Sequence, residues 1–113
     1  MNTCGQRLRA LRESLGLTMR DVEAASGQIA DKHQNGEFSI PPSRLSDIET
    51  KNVVPSIYRI YSLAVIYRSN PHELMSLFGV NLDEITGDLA LAQPPKSHVS
   101  EASRASREWA ILT

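Results

Sequence analysis

Side chains able to do chemistry are few in this sequence, and most are scattered. Cys4 is the only cysteine, so it cannot close an intramolecular disulfide. His33, His72 and His98 lie far apart, and no CxxC or paired-histidine spacing occurs, so no metal site is expected. There is no Ser/His/Asp or Cys/His constellation, no carboxylate pair in an apolar setting and no glycine-rich phosphate loop. Catalysis and a bound cofactor are therefore not expected. What remains is one short segment, about 42–50, where Ser43, Arg44 and Asp47 share a helix with only two aliphatic residues, Leu45 and Ile48. A helix built only to fill a core would not spend so many positions on short polar and charged groups. A hydroxyl, a forked donor and a carboxylate acceptor suit recognition rather than bond making.

Such a segment needs a scaffold, and the composition allows one. The chain has 113 residues, 41% apolar and 22% charged, enough for one core of about 80 residues and a tail. The net charge is -1, which excludes a uniformly basic polyanion binder. The charge is uneven, however. Residues 1–68 carry nine Lys+Arg and seven Asp+Glu, a net of +2, whereas 69–113 carry three and six, a net of -3. A polyanion would be met by the first part. No apolar run reaches membrane length and no signal-peptide pattern opens the chain, so a soluble, cytoplasmic protein is expected.

Periodicity supplies five helices and no sheet. Cys4, Leu8, Leu11 and Leu15 fall on one face of a helix over 4–15, stopped by Gly16. Thr18 caps a second helix carrying Val22, Ala25 and Ile29, which reaches about Gln34. Asn35-Gly36 ends it, and the polar–apolar alternation of 37–40 suits an extended segment. Pro42 opens the third helix at its first position, and Lys51-Asn52 closes it. Ser56 caps a fourth helix to about Arg68. Its apolar face is Ile57, Ile60, Leu63, Ala64 and Tyr67, and Tyr58, Tyr61, Val65 and Ile66 spread round its other sides. A helix apolar nearly all round is buried on more than one side. Asn70-Pro71-His72-Glu73 reads as a capping box opening a fifth helix, ended by Gly79. Beyond it Asn81 suits the cap of a short helix with Leu82, Ile85 and Leu89. Gln93-Pro94-Pro95 is a linker, and 100–112 suits a terminal helix carrying Trp109.

The run Arg7-Leu8-Arg9-Ala10-Leu11-Arg12-Glu13-Ser14-Leu15-Gly16-Leu17-Thr18 resembles the opening of the lambda-repressor-like, Cro/XRE-type helix-turn-helix domain. Ser43-Arg44-Leu45-Ser46-Asp47-Ile48-Glu49 resembles that family's recognition helix. Pro55-Ser56-Ile57, Leu63-Ala64 and His72-Glu73-Leu74-Met75 follow in the order of its fourth and fifth helices. The resemblance covers 5–79 and implies an all-α, five-helix domain over 1–80 with a weakly structured tail over 81–113. It also shows departures. The usual turn between helices two and three is three to four residues; here about a dozen are inserted, roughly over 27–41. Met19 stands where the family usually has a phosphate-touching glutamine, and Lys51-Asn52 where a glycine commonly follows the recognition helix.

The resemblance implies double-stranded DNA as partner, with the helix of about 42–50 in the major groove. Pro42, Ser43 and Asp47 then take base-facing positions, with Arg44 beside them, able to fork onto guanine O6 and N7. Thr18 and Arg20 at the start of helix two, and Lys51 and Asn52 after helix three, would meet phosphates. Arg20 could equally pair with Asp21 or Glu23. Arg12 and Glu49 match a family ion pair that orients the recognition helix. A homodimer is expected, since paired half-sites need two copies. Tyr58, Tyr61, Val65 and Ile66, with Trp109 as an anchor, are its candidate surface, shared with cover from the inserted residues. The competing reading is an interaction module of the same fold with DNA binding weakened or lost.

Overall fold

A computed structural model describes residues 3–92. Those residues form α1 (Cys4–Ser14), α2 (Met19–His33), α3 (Pro42–Lys51), α4 (Ile57–Tyr67), α5 (Pro71–Leu77) and α6 (Ile85–Leu91), with short 3-10 turns at Gly36–Phe38 and Leu82–Glu84 and no strand. The chain divides into two compact units, Met1–Leu82 and Asp83–Thr113. Among the described residues no helix is long and apolar enough to cross a membrane. The expected terminal helix and Trp109 lie outside the described residues.

Local chemistry sets the helix ends. Thr3 with Gln6, and Thr18 with Asp21, form reciprocal capping boxes at the starts of α1 and α2. The Ser56 hydroxyl accepts the Arg59 N–H at the start of α4. Gly16 turns the chain out of α1 at φ 71°, and Asn52 ends α3 at φ 54°, a conformation asparagine tolerates better than most side chains. The reciprocal box expected at α5 is not formed. Asn70 Oδ1 instead accepts the His72 N–H, a shorter loop that still satisfies one orphan donor. The expected helix start at Leu82 is a 3-10 turn, and α6 follows with Glu84 as its cap.

The core of the first unit joins all five helices through Leu8, Val22, Leu45, Ile48, Leu63, Tyr67 and Leu74. Ile40, between α2 and α3, is as deeply buried as any of these. The inserted residues are therefore built into the core. Three polar ties hold them: Ser26 Oγ accepts the Ile40 N–H at 2.8 Å, the Ser62 hydroxyl donates to the Phe38 carbonyl at 2.6 Å, and Arg59 Nε donates to the Ser39 carbonyl at 3.1 Å. Each satisfies a backbone group that would otherwise be desolvated without a partner.

The expected extended run over 37–40 is corrected at its start. Asn35 Oδ1 accepts the Glu37 N–H and folds Gly36–Phe38 into a 3-10 turn. That turn lays the Phe38 ring edge-on against Tyr58 and Tyr61, at centroid distances of 5.2 and 5.5 Å, and stacks it on His33 at 4.7 Å. Two apolar residues also leave their expected faces. Leu15 caps α1 and is exposed, and Ile57, in the first turn of α4, is 73% exposed. Both sit at helix ends, where the periodic face has run past the core. In α1 the inward positions belong instead to Gly5, Leu8 and Arg12.

Candidate nucleic-acid interface

Helix α3 is anchored from one side. Leu45, Ile48 and Glu49 are buried, three residues at helical spacing that fix its rotation. Pro42 occupies the first position, where its missing N–H is no loss. Ser43 and Arg44 are exposed, and Pro42 and Asp47 are half-buried.

The rotation is locked by an ion pair with α1. Arg12 Nε donates to Glu49 Oε2 at 2.7 Å and Arg12 Nη2 donates to Oε1 at 3.0 Å. A third donor, Nη1, reaches the Leu17 carbonyl at 2.9 Å and ties in the connection to α2. Both residues are buried. The Glu49 carboxylate, through its hydrogen bond, raises the Arg12 pKa further above its ordinary value, against the opposing effect of burial. Tyr67 lies close enough to feel both charges. Burial first, then the Glu49 carboxylate, pushes its phenol far above the usual tyrosine range, so it stays neutral. Its hydroxyl is buried without a hydrogen-bond partner among the described residues.

A second lock sits at the end of α3. The Asn52 Oδ1 accepts the Gly5 N–H at 3.0 Å and the Cys4 thiol at 3.6 Å. Asn52 thus joins the start of α1 to the end of α3. That acceptor is committed to the fold, and the side-chain amide N–H groups of exposed Asn52 are the ones able to donate to a phosphate.

The other candidate residues are dispersed. Lys51 Nζ lies 3.5 Å from Asp47 Oδ1, one turn back, so the two charges partly offset each other on α3. Arg20 pairs with Glu23 at 3.1 Å on the exposed side of α2. The start of α2 is partly filled from within. Thr18 Oγ1 accepts the Asp21 N–H, and Asp21 Oδ2 accepts the Thr18 N–H. The Thr18 backbone N–H first, then the Thr18 hydroxyl, holds the Asp21 carboxyl below its usual aspartate range, and its charge faces any phosphate that approaches. By the helix rule only the Met19 and Arg20 N–H groups remain for a ligand there.

The structure adds a cation that the sequence reading did not include. Arg44 and Asp47 of α3 line a small cleft of ≈ 120 Å³ with Val54, Ser56 and Arg59 from the following turn and α4. The first turn of α4 carries no acidic residue. Two guanidiniums and a helix N-terminus therefore border one concavity, with Asp47 as the one carboxylate on its lining. Arg59 was hidden because its neighbours in sequence are apolar residues of α4. Only the α3–α4 turn brings it beside Arg44.

On the other side of the same helix the expected apolar strip is partly covered. Ile66 packs against the core. The Phe38 ring shields Tyr58 and Tyr61, but Tyr61 remains 46% and Val65 50% exposed. Comparisons with known proteins found no matching family model, no matching curated protein and no matching solved structure.

Proposed function

We propose that Met1–Leu82 is a lambda-repressor-like, Cro/XRE-type domain with an enlarged connection between α2 and α3, and that the chain is a cytoplasmic, sequence-specific transcriptional regulator. One observation carries the reading. Helix α3 is clamped by a buried bidentate ion pair and two aliphatic residues, while Ser43 and Arg44 stand exposed beside a cleft bordered by Arg59. A helix held this rigidly with polar side chains outward is what groove reading requires.

In this reading α3 enters the major groove and Arg44 forks onto a guanine. Ser43 donates to a base or a phosphate. Ser56 and Arg59 at the start of α4, with Lys51, hold the backbone. The α2 end contributes less, because Asp21 repels phosphate there. The test begins with selection of bound duplexes from a random pool. On the selected site, Arg44→Ala is expected to weaken binding by ~1–3 kcal/mol and to relax preference at one base position. Lys51→Ala is expected to weaken all sequences alike and to reduce the salt slope by about one. Binding as tight as the parent in both variants overturns α3 as the reader.

The domain is proposed to act as a homodimer. Ile57, Tyr61 and Val65 recur every fourth residue along α4, and all three are exposed. An apolar stripe on one helix is self-complementary about a two-fold axis. Val65→Glu is expected to shift a concentration-dependent dimer to monomer in sedimentation equilibrium with helical circular dichroism unchanged. A parent that stays monomeric, free and on DNA, removes the dimer.

The second reading is an interaction module of the same fold. The Asp21 carboxylate at the start of α2 and the apolar stripe on α4 favour it. Salt separates the two, since binding to random duplex falls steeply with ionic strength only when phosphates are contacted.

A further inference from the structure

The residues of α1 that touch α3, Gly5 and Arg12, leave another side of α1 unused. Arg7 and Leu11 lie on that side, roughly 130° around the helix from the α3 contact. There they border a cavity of ≈ 360 Å³ whose opposite wall is Glu73, Leu74 and Leu77 of α5. A volume of this size lies within the roughly 300–1,000 Å³ typical of small-molecule sites.

The lining has a specific chemistry. Half-buried Leu11 and Leu77 supply the accessible apolar surface, over the fully buried Leu74 of the core. Arg7 and Glu73 supply one charge of each sign. Among the described residues the ion pairs are Arg9–Glu13, Arg12–Glu49, Arg20–Glu23 and Lys51–Asp47. Arg7 and Glu73 thus line one cavity without pairing with each other. Opposite charges that flank an apolar floor without closing on each other match a ligand that carries both charges on one carbon and an apolar group beside them.

We propose that this cavity binds a free amino acid with an aliphatic or aromatic side chain. Its carboxylate takes the Arg7 fork, its ammonium the Glu73 carboxylate, and its side chain covers Leu11 and Leu77. Both charged groups are exposed at the rim, so solvent weakens each contact and millimolar binding is expected. The ligand would bridge α1 and α5 while leaving Ser43 and Arg44 uncovered. The site does not depend on the DNA-binding reading.

The test is a titration of the full chain with L-leucine and L-phenylalanine, followed by amide chemical shifts. Saturable shifts are expected at Arg7, Leu11, Leu74 and Leu77. N-acetyl-leucine, which lacks the ammonium, and leucinamide, which lacks the carboxylate, are each expected to bind at least about tenfold more weakly. Arg7→Gln and Glu73→Gln are expected to weaken leucine by a similar factor with unchanged helical circular dichroism. No saturable shift at millimolar amino acid overturns the proposal. So does binding that survives both substitutions, or analogues that bind as well as leucine.

Discussion

Arg12→Ala is expected to destabilise the first unit by ~3–5 kcal/mol in chemical denaturation, the range for breaking a buried ion pair from one side. The magnitude rests on what is left behind. The Glu49 side chain has no exposed surface, and Arg12 gives it two short, parallel hydrogen bonds. Without the guanidinium a carboxylate stays in the interior beside the Tyr67 phenol. The Leu17 carbonyl also loses its donor. An exposed pair such as Arg9–Glu13 sets the contrast, since deleting one partner there is expected to change stability by less than about 1 kcal/mol. Glu49→Gln supplies the second edge of a double-mutant cycle. Coupling well above the ~0.5 kcal/mol seen between distant sites is expected. Additive effects, or a loss no larger than that of Arg9→Ala, would show that the pair does not hold α3 in place.

The same residues show what a one-dimensional reading can and cannot reach. Helix positions were legible because apolar spacing and end signals agree. Thr18 and Ser56 as caps, Pro42 at a first position and Gly16 as a stop all follow from local chemistry, and local chemistry is present in the sequence. Burial of polar groups is not. Arg12 flanks one edge of the apolar face of α1 and Arg7 flanks the other, and no periodicity of hydrophobic residues tells which of the two is buried. The pairing of Arg12 with Glu49 was implied only by a family resemblance. Ser26 looked like an ordinary helix residue, yet it is fully buried because its hydroxyl receives the Ile40 N–H from the inserted segment. The converse errors, Leu15 and Ile57, are apolar residues at helix ends, where period and core part company. In the candidate interface, Ser43 and Arg44 could be read as outward from the sparse aliphatic content of their helix. Arg59 could not, because its nearness to Arg44 is a property of the turn between α3 and α4.

Gly5 carries the largest expected effect of any small substitution away from the ion pair. A Cβ built there would fall inside contact distance of the Ile48 and Glu49 carbonyl oxygens and 2.8 Å from Asn52 Oδ1. Two of these atoms belong to the backbone of α3 and cannot rotate aside. Overpacking ordinarily costs ~1–3 kcal/mol, and contacts with fixed carbonyls place Gly5→Ala near or above ~3 kcal/mol. The substitution must also lengthen the Gly5 N–H bond to Asn52, which is the link between the start of α1 and the end of α3. Gly27 is the control. It lies within α2 outside the left-handed region of φ, and its Cβ would meet nothing within 4 Å. Gly27→Ala is therefore expected to stabilise by about 0.4–1 kcal/mol, because alanine loses less backbone entropy on entering a helix. The two variants make the same chemical change in two helices with opposite expected signs, so helix propensity alone cannot produce the result. If both stabilise the protein, α1 does not approach α3 as closely as the Gly5 contacts require. The Arg12–Glu49 pair, with buried Leu45 and Ile48, would then hold the helix that presents Ser43 and Arg44 without that second lock.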